Sequence, residues 1–418
     1  MNGFCGRKNC GIVAVIFISY FHLYYTISYS IPVIHFIALL FILYSMNDII
    51  FCKPYKHIFY LYLSGVTLFI YSLINTFMNE SADYSYTYNI FIRYAMFIAM
   101  AYVLIKLLIE NLKYNKKQFY YFVFYVSFMQ TIFIISSMAI PSVKKFFDML
   151  LPVTSYTGLD DIYGIRFRGF SNVANSALSL DVAIGQIFAL YLFCNSTRFK
   201  EKLFLAFSSL LIFVGVVLCG RTGILFIILC NVMYFINHYK KYYSFLLYIF
   251  LISAMSLVFL IPVLNNFDQA QLDNIYRFAF DFIINGGRSS STDELINKML
   301  FLPDNIKTFV FGDGMYTMPD HINAYMQTDS GFVRDIFSFG VMGCLLFYGS
   351  NFLFFASIYQ RLLRVDKEIF LFLLFFYMLY NIKGSVFING SGLTFIIFSF
   401  CFFHFQIGNT NAASAGKD

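Results

Sequence analysis

Apolar and polar stretches alternate along this chain as long oily runs parted by short polar breaks. A bilayer-crossing segment needs about 20 mostly apolar residues, because in lipid each backbone donor and acceptor must be satisfied inside the segment. Twelve runs fit: 11–28, 31–50, 57–78, 89–109, 118–141, 176–194, 203–219, 222–237, 243–263, 332–358, 368–383 and 388–406. The pattern predicts an all-α polytopic membrane protein of about twelve transmembrane helices, with 1–418 as a single integral membrane domain. The run 222–237 is short for a span.

The breaks carry their own pattern. Arg7-Lys8, Lys53/Lys56, Lys113/Lys116/Lys117, Arg198/Lys200/Lys202, Lys240/Lys241 and Arg361/Arg364/Lys367 occupy every second connection. Lys and Arg mark the cytoplasmic side of short loops. Both termini are therefore expected in the cytoplasm, the polar tail 407–418 included. The alternate, external connections are 29–30, 79–88, 142–175, 220–221, 264–331 and 384–387. Two of them, 142–175 and 264–331, exceed the roughly 12–15 residues beyond which a loop is usually functional or disordered. Within the second, IYRFAFDFIING and DELINKMLFL show helix-like apolar spacing, which predicts a small structured cap.

Composition agrees. Apolar residues make up 60% of the 418, charged residues 12%, and mean hydropathy is +0.70. A soluble fold lacks the interior to hide that much apolar surface. The net charge of +7 is spread between the runs rather than gathered in a stripe, so nucleic acid is not an expected partner. Eight cysteines without Cys-x-x-Cys or Cys/His ligand spacing predict neither a metal site nor a disulfide framework. Arg7-Lys8 precedes an apolar run with no small-residue cleavage site after it, which reads as a retained first helix.

Polar groups close to a membrane are functional candidates by default, and external arginines oppose the orientation bias. Arg166, Arg168, Arg221, Arg277, Arg288 and Arg334 fall in external segments, and Arg93 lies in the outer half of the fourth span. The planar guanidinium fork suits phosphate and carboxylate oxygens and keeps its charge. Together these residues suit a pyrophosphate or an acidic sugar; singly, each could equally pair with a local acid or a lipid headgroup. Arg166 and Arg168 are spaced i, i+2. Gly169 permits a turn, and Asn172 and Asn175 offer amides to sugar hydroxyls, although Asn175 or Ser176 would also serve as a helix N-cap. Arg221 stands in Cys219-Gly-Arg-Thr-Gly223, too short for a real loop. The large loop supplies Gly286-Gly-Arg-Ser, Phe311-Gly-Asp-Gly-Met-Tyr316, His321 and Asp329-Ser-Gly-Phe-Val-Arg334. His321 is a possible general acid or base. Asp329 either pairs with Arg334 or activates an acceptor hydroxyl. Lys383-Gly-Ser interrupts the last two spans, whose interiors, like those of the others, hold little charge, Asp181 being the main exception.

These residues carry a resemblance to the O-antigen polymerases (Wzy-type) of the O-antigen ligase/polymerase superfamily. It rests on the span count, the two large loops, Arg168-Gly-Phe-Ser-Asn172, Gly220-Arg-Thr222 (the family has Ser-Arg-Thr), and the run Gly312 to Gly343 with Gly-Asp-Gly-Met-Tyr and Thr-Asp-Ser-Gly-Phe. The resemblance implies an enzyme of the bacterial cell inner membrane, acting at its periplasmic face without cofactor or metal. It would transfer an undecaprenyl-pyrophosphate-linked oligosaccharide onto another lipid-linked repeat unit, beside a flippase and a chain-length regulator of the same lipopolysaccharide pathway. By motif match, Arg166, Arg168 and Arg221 would hold the pyrophosphate, and Arg288 and Arg334 pyrophosphate or sugar. His321 and Asp329 compete for the base. Gly169, Asn172, Asn175, Tyr316 and Lys383 join the expected substrate contacts, while Gly340 and Gly343 pack helices. Two rivals stand beside it: an O-antigen ligase acting on lipid A core, and a polysaccharide flippase or other transporter.

Overall fold

A computed structural model of the chain describes residues 43, 56–79, 83, 95–150, 167–171, 176–220, 222–264, 295–318, 325–384 and 392–415. Helix makes up 85% of the described residues and no strand occurs among them, as the apolar pattern requires. In chain order the helices are α1 (Lys56–Met78), α2 (Ala95–Lys106, prolonged by a π-turn Leu107–Asn111), α3 (Lys116–Ala139), α4 (Pro141–Leu150), α5 (Ser176–Asn195), α6 (Phe199–Cys219), α7 (Thr222–Leu264), α8 (Ile306–Phe311), α9 (Gly331–Tyr359), α10 (Arg364–Lys383) and α11 (Gly392–Ala415). Among the described residues six helices are long and apolar enough to cross a bilayer: Tyr60–Met78, Lys116–Ala139, Ala177–Asn195, Phe199–Cys219, Thr222–Phe250 and Gly331–Tyr359. Their outward faces are greasy. Leu63, Ile70, Ile74 and Phe77 on α1 and Ile228, Phe235 and Ile236 on α7 are all exposed, a surface that lipid covers and water does not tolerate. The chain is a membrane-embedded polytopic helical protein. The predicted spans 11–28 and 31–50 lie outside the described residues, apart from the single helical residue 43.

The chain divides into two compact units, Met1–Tyr29 with Leu112–Arg288, and Ser30–Asn111 with Ser289–Asp418. In the first, α5 packs against α3, α6 and α7, and 89% of its apolar window is buried. Its sequence, SALSLDVAIGQ, is rich in small residues, as a helix closely enclosed by others requires, with Asp181 and Gln186 buried within it. Gln186 on α5 accepts a 2.5 Å hydrogen bond from Ser209 on α6. A capping box of Asn115 and Gln118 starts α3. The two predicted runs 222–237 and 243–263 form one helical element, α7, with a non-helical residue at His238 (φ −137°, ψ 35°). Straight, its 43 residues would extend about 65 Å, twice the hydrocarbon thickness. The break falls just before Lys240-Lys241, where a connection was predicted.

In the second unit α9 packs on α1, α8 and α10, and α11 on α2 and α10. Phenylalanine fills this core: Phe355 lies 5.7 Å from Phe398 and 6.0 Å from Phe370, ring to ring, and Phe354 lies 6.0 Å from Phe402. The polar tail begins as helix, since α11 runs through to Ala415.

Each unit sorts its connections by end. In the first, Lys117 and Glu201 pair at 3.0 Å, joining the start of α3 to the start of α6. At the other end of α6, Phe167 N–H donates to Leu218 O at 3.0 Å. In the second, Asp83, the 311–317 segment and Gly384 gather at the start of α9. At its far end Arg361 stacks over Phe405 (4.7 Å), and His404 Nδ1 lies 3.8 Å from Asp366.

Candidate functional site

The second unit's site is built on a broken helix. At Gly340 (φ +63°, ψ 179°) α9 leaves helical geometry within Phe337-Ser-Phe-Gly-Val. A break in a span strands backbone groups that lipid cannot satisfy. Here the Gly-Asp-Gly loop after α8 and the end of α1 supply the missing partners. Asp313 N–H donates to Phe337 O (2.7 Å) and Gly314 N–H to Ser338 O (3.1 Å). Asn75 Nδ2 donates to Ser338 O (3.2 Å) and Phe311 O (2.7 Å), and Tyr71 Oη to Phe339 O (3.0 Å) and Phe311 O (2.9 Å). The two backbones touch directly, because a Cβ on Gly312 would lie 2.4 Å from Ser338 O and one on Gly340 2.3 Å from Val310 O.

That lock holds a polar cluster. Arg334, one turn into α9, places its guanidinium carbon 4.0 Å over the Tyr316 ring and donates to Tyr316 O at 2.9 Å. Its Nε is buried without a hydrogen-bond partner among the described residues. From the other side Asp83, itself buried, accepts from the Tyr316 and Thr317 backbone N–H groups, the latter at 2.7 Å. Asp313 accepts from Thr308 Oγ1 (2.7 Å) and from Tyr325 Oη (3.0 Å). Burial first, and then the Asp313 charge, push the Tyr325 phenol up to about 12. A cation held over an aromatic face, with a carboxylate anchoring the backbone beneath, is fixed in place while keeping its charge.

In the first unit the segment around Arg168 is tied to the end of α6 and to α3: Cys219 Sγ donates to Phe167 O (3.2 Å) and Gln130 Nε2 to Arg168 O (2.9 Å). The Arg-Gly-Phe-Ser element thus lies beside the Cys219-Gly220 turn. Gly169 takes φ +55°, the turn conformation its type allows. Arg168 is buried against Asp148 of α4, Nε at 3.1 Å and Nη2 at 2.5 Å from Oδ1, while its Nη1 has no hydrogen-bond partner among the described residues.

Asp329 is exposed and does not reach Arg334, which is occupied with Tyr316. Tyr316 is buried under Arg334, and Lys383, half-buried, ends α10. Arg166, Arg221, Arg288, His321, Asn172 and Asn175 lie outside the described residues. Sequence reasoning missed Asp83, Asp148 and above all Asp335, which is fully buried inside α9. An acid within an apolar run was the available signal for Asp335. Asp83 and Asp148 looked like ordinary loop and surface acids. Among the described residues no three His, Cys, Asp or Glu side chains gather as a metal site. No family model matches the chain, and no curated protein or solved structure is significantly similar to it.

Proposed function

We propose that the chain is a surface-polysaccharide polymerase of the O-antigen (Wzy-type) kind, a glycosyltransferase of about twelve spans in the bacterial inner membrane. It takes an undecaprenyl-pyrophosphate-linked glycan and transfers it to a lipid-linked repeat unit at the periplasmic face, where the 142–175 and 264–331 loops emerge. Both termini lie in the cytoplasm. The observation that supports this reading is the built cluster along Gly312–Gly343, the run that carries the resemblance, with Arg334 fixed over Tyr316. The acceptor hydroxyl oxygen attacks the anomeric carbon, the bond from that carbon to the diphosphate oxygen breaks, and a base takes the hydroxyl proton. Asp329, exposed beside the start of α9, and His321 are the bases within the matching motif. Fixed arginines stabilise the charge developing on the departing diphosphate, a role for Arg334, Arg168, Arg166, Arg221 and Arg288.

A deletion strain should make lipid A core capped with a single repeat, and the wild-type gene should restore the ladder. Arg334→Ala and Arg168→Ala should fail to restore it while reaching wild-type levels in the membrane. A full ladder from both variants refutes the site. A transporter is the second reading, favoured by the discontinuous α9 and its buried Asp335. Loss of the single-repeat cap in the deletion strain would select a transporter or a ligase instead.

A further inference from the structure

Asp335 plays no part in that reaction. It lies on α9 with no exposed surface. Tyr348 Oη donates to its Oδ2, and Asn381 Nδ2 donates to Tyr348 Oη at 2.9 Å. Its Oδ1 has no hydrogen-bond partner among the described residues, and neither does the buried Oγ of Ser330, the residue that caps α9. Between them in the chain, at Gly331, oxygen atoms crowd the helix. A methyl group on Gly331, one helical turn before Asp335, would stand 2.5 Å from Asn381 Oδ1 and 2.8 Å from each of the carbonyl oxygens of Asn381 and Gly384. Both carbonyls belong to the C-terminal end of α10, which carries the negative pole of that helix. Arg334, next in sequence, gives its hydrogen bond to Tyr316 O rather than to Asp335, while its charge and the Asn381 amide both act on the carboxylate.

An ionised carboxylate this deep needs a counter-charge or a proton. A proton would settle one oxygen, whereas a cation settles several at once. One carboxylate among carbonyl, amide and hydroxyl oxygens balances a single positive charge, and helix C-terminal carbonyls are known ligands of Na⁺ inside membranes. We infer that Asp335, Ser330, Asn381 and the Gly384 carbonyl form a site for one dehydrated sodium ion, pinning the first half of the broken helix α9 to the end of α10.

The test is thermal unfolding of the full-length protein in detergent at pH 7.5, with NaCl exchanged against choline chloride or KCl at fixed ionic strength. Sodium should raise the unfolding midpoint by several degrees over a hundredfold range, through its preference for the folded state. Choline should not, and Asp335→Asn should abolish the response while Tyr348→Phe keeps it. Should Asp335→Asn fail to fold, the wild type still decides. Protons compete for the same carboxylate, so the sodium midpoint should rise as pH falls from 8 to 5. Arg334, Cys344, Tyr348 and Tyr377 face Asp335. At ordinary values none of them changes charge in most of that range. No sodium response in the wild type, or an equal one with choline, overturns the site, as does a response to pH alone. The lipopolysaccharide ladder is read separately, so either result leaves the polymerase test intact.

Discussion

Gly340→Ala should be among the most damaging single substitutions in the second unit. The backbone there has φ +63° and ψ 179°, a region open essentially to glycine alone, and an alanine held in it costs about 1–3 kcal/mol. The added Cβ would also stand 2.3 Å from Val310 O and 2.5 Å from Phe311 N, both backbone atoms that cannot rotate aside. Moving them strains the bonds from Asp313 to Phe337 and from Gly314 to Ser338, each worth roughly 1 kcal/mol net. The sum is about 4 kcal/mol, equivalent to a fall of roughly 10 °C in the unfolding midpoint of a unit this size. Gly349→Ala is the matched control. It lies on the same helix with nothing within 4 Å of a Cβ, and helix propensity alone favours the alanine by up to about 1 kcal/mol. The two variants, purified in one detergent, are compared by thermal unfolding followed with a thiol-reactive dye. If Gly340→Ala melts with Gly349→Ala, the break in α9 is not locked by the Gly-Asp-Gly loop.

Two further substitutions test the cluster beneath Arg334. Asp83→Asn keeps the shape but replaces a charged acceptor of the Tyr316 and Thr317 amides, and should cost about 1–3 kcal/mol, seen as a lower unfolding midpoint. Tyr325→Phe should narrow its stability gap to the wild type as pH rises from about 10 to about 12. The phenol's proton is held more tightly when folded, so its contribution is complete below pH 10 and lost as pH climbs through its raised value, read from unfolding midpoints across that range.

How far the fold could be read in advance follows from what each signal depends on. Bilayer thickness imposes a run length, so the boundaries of α1, α3, α5, α6 and α9 fall within a few residues of the apolar runs. The bend in α7 was less legible: the runs on either side of Lys240-Lys241 are separate in hydropathy, yet helical hydrogen bonding continues past His238. Harder still was the break at Gly340. Glycine in a span reads equally as a packing residue, and Gly343 is one, with its Cβ position against the Phe339 side chain. Only the partner segment, some 25 residues earlier in the chain, distinguishes the two. Arg334 and Tyr316 were legible as candidates from their types, but their stacking was not. Nor was the burial of Asp335, because adjacent residues on a helix point about 100° apart and reach different neighbours.

Arg168 and Arg334, the two candidate arginines among the described residues, are held by different means, and the difference bears on which could act on an anion. Arg168 gives two of its donors to the Asp148 carboxylate, whose charge opposes any other anion that approaches. Arg334 is held by an aromatic face and a backbone carbonyl, neither of which carries a formal charge, so its position is fixed without being neutralised. A fixed cation of this kind needs no reorganisation when charge develops beside it, the condition under which electrostatic stabilisation is largest. Asp335, one residue on, carries the opposite charge and acts on it. A sodium ion on Asp335 would offset that opposing charge from inside the helix and leave the guanidinium field directed outward. The cation site and the anion site would then be two halves of one arrangement around the broken helix.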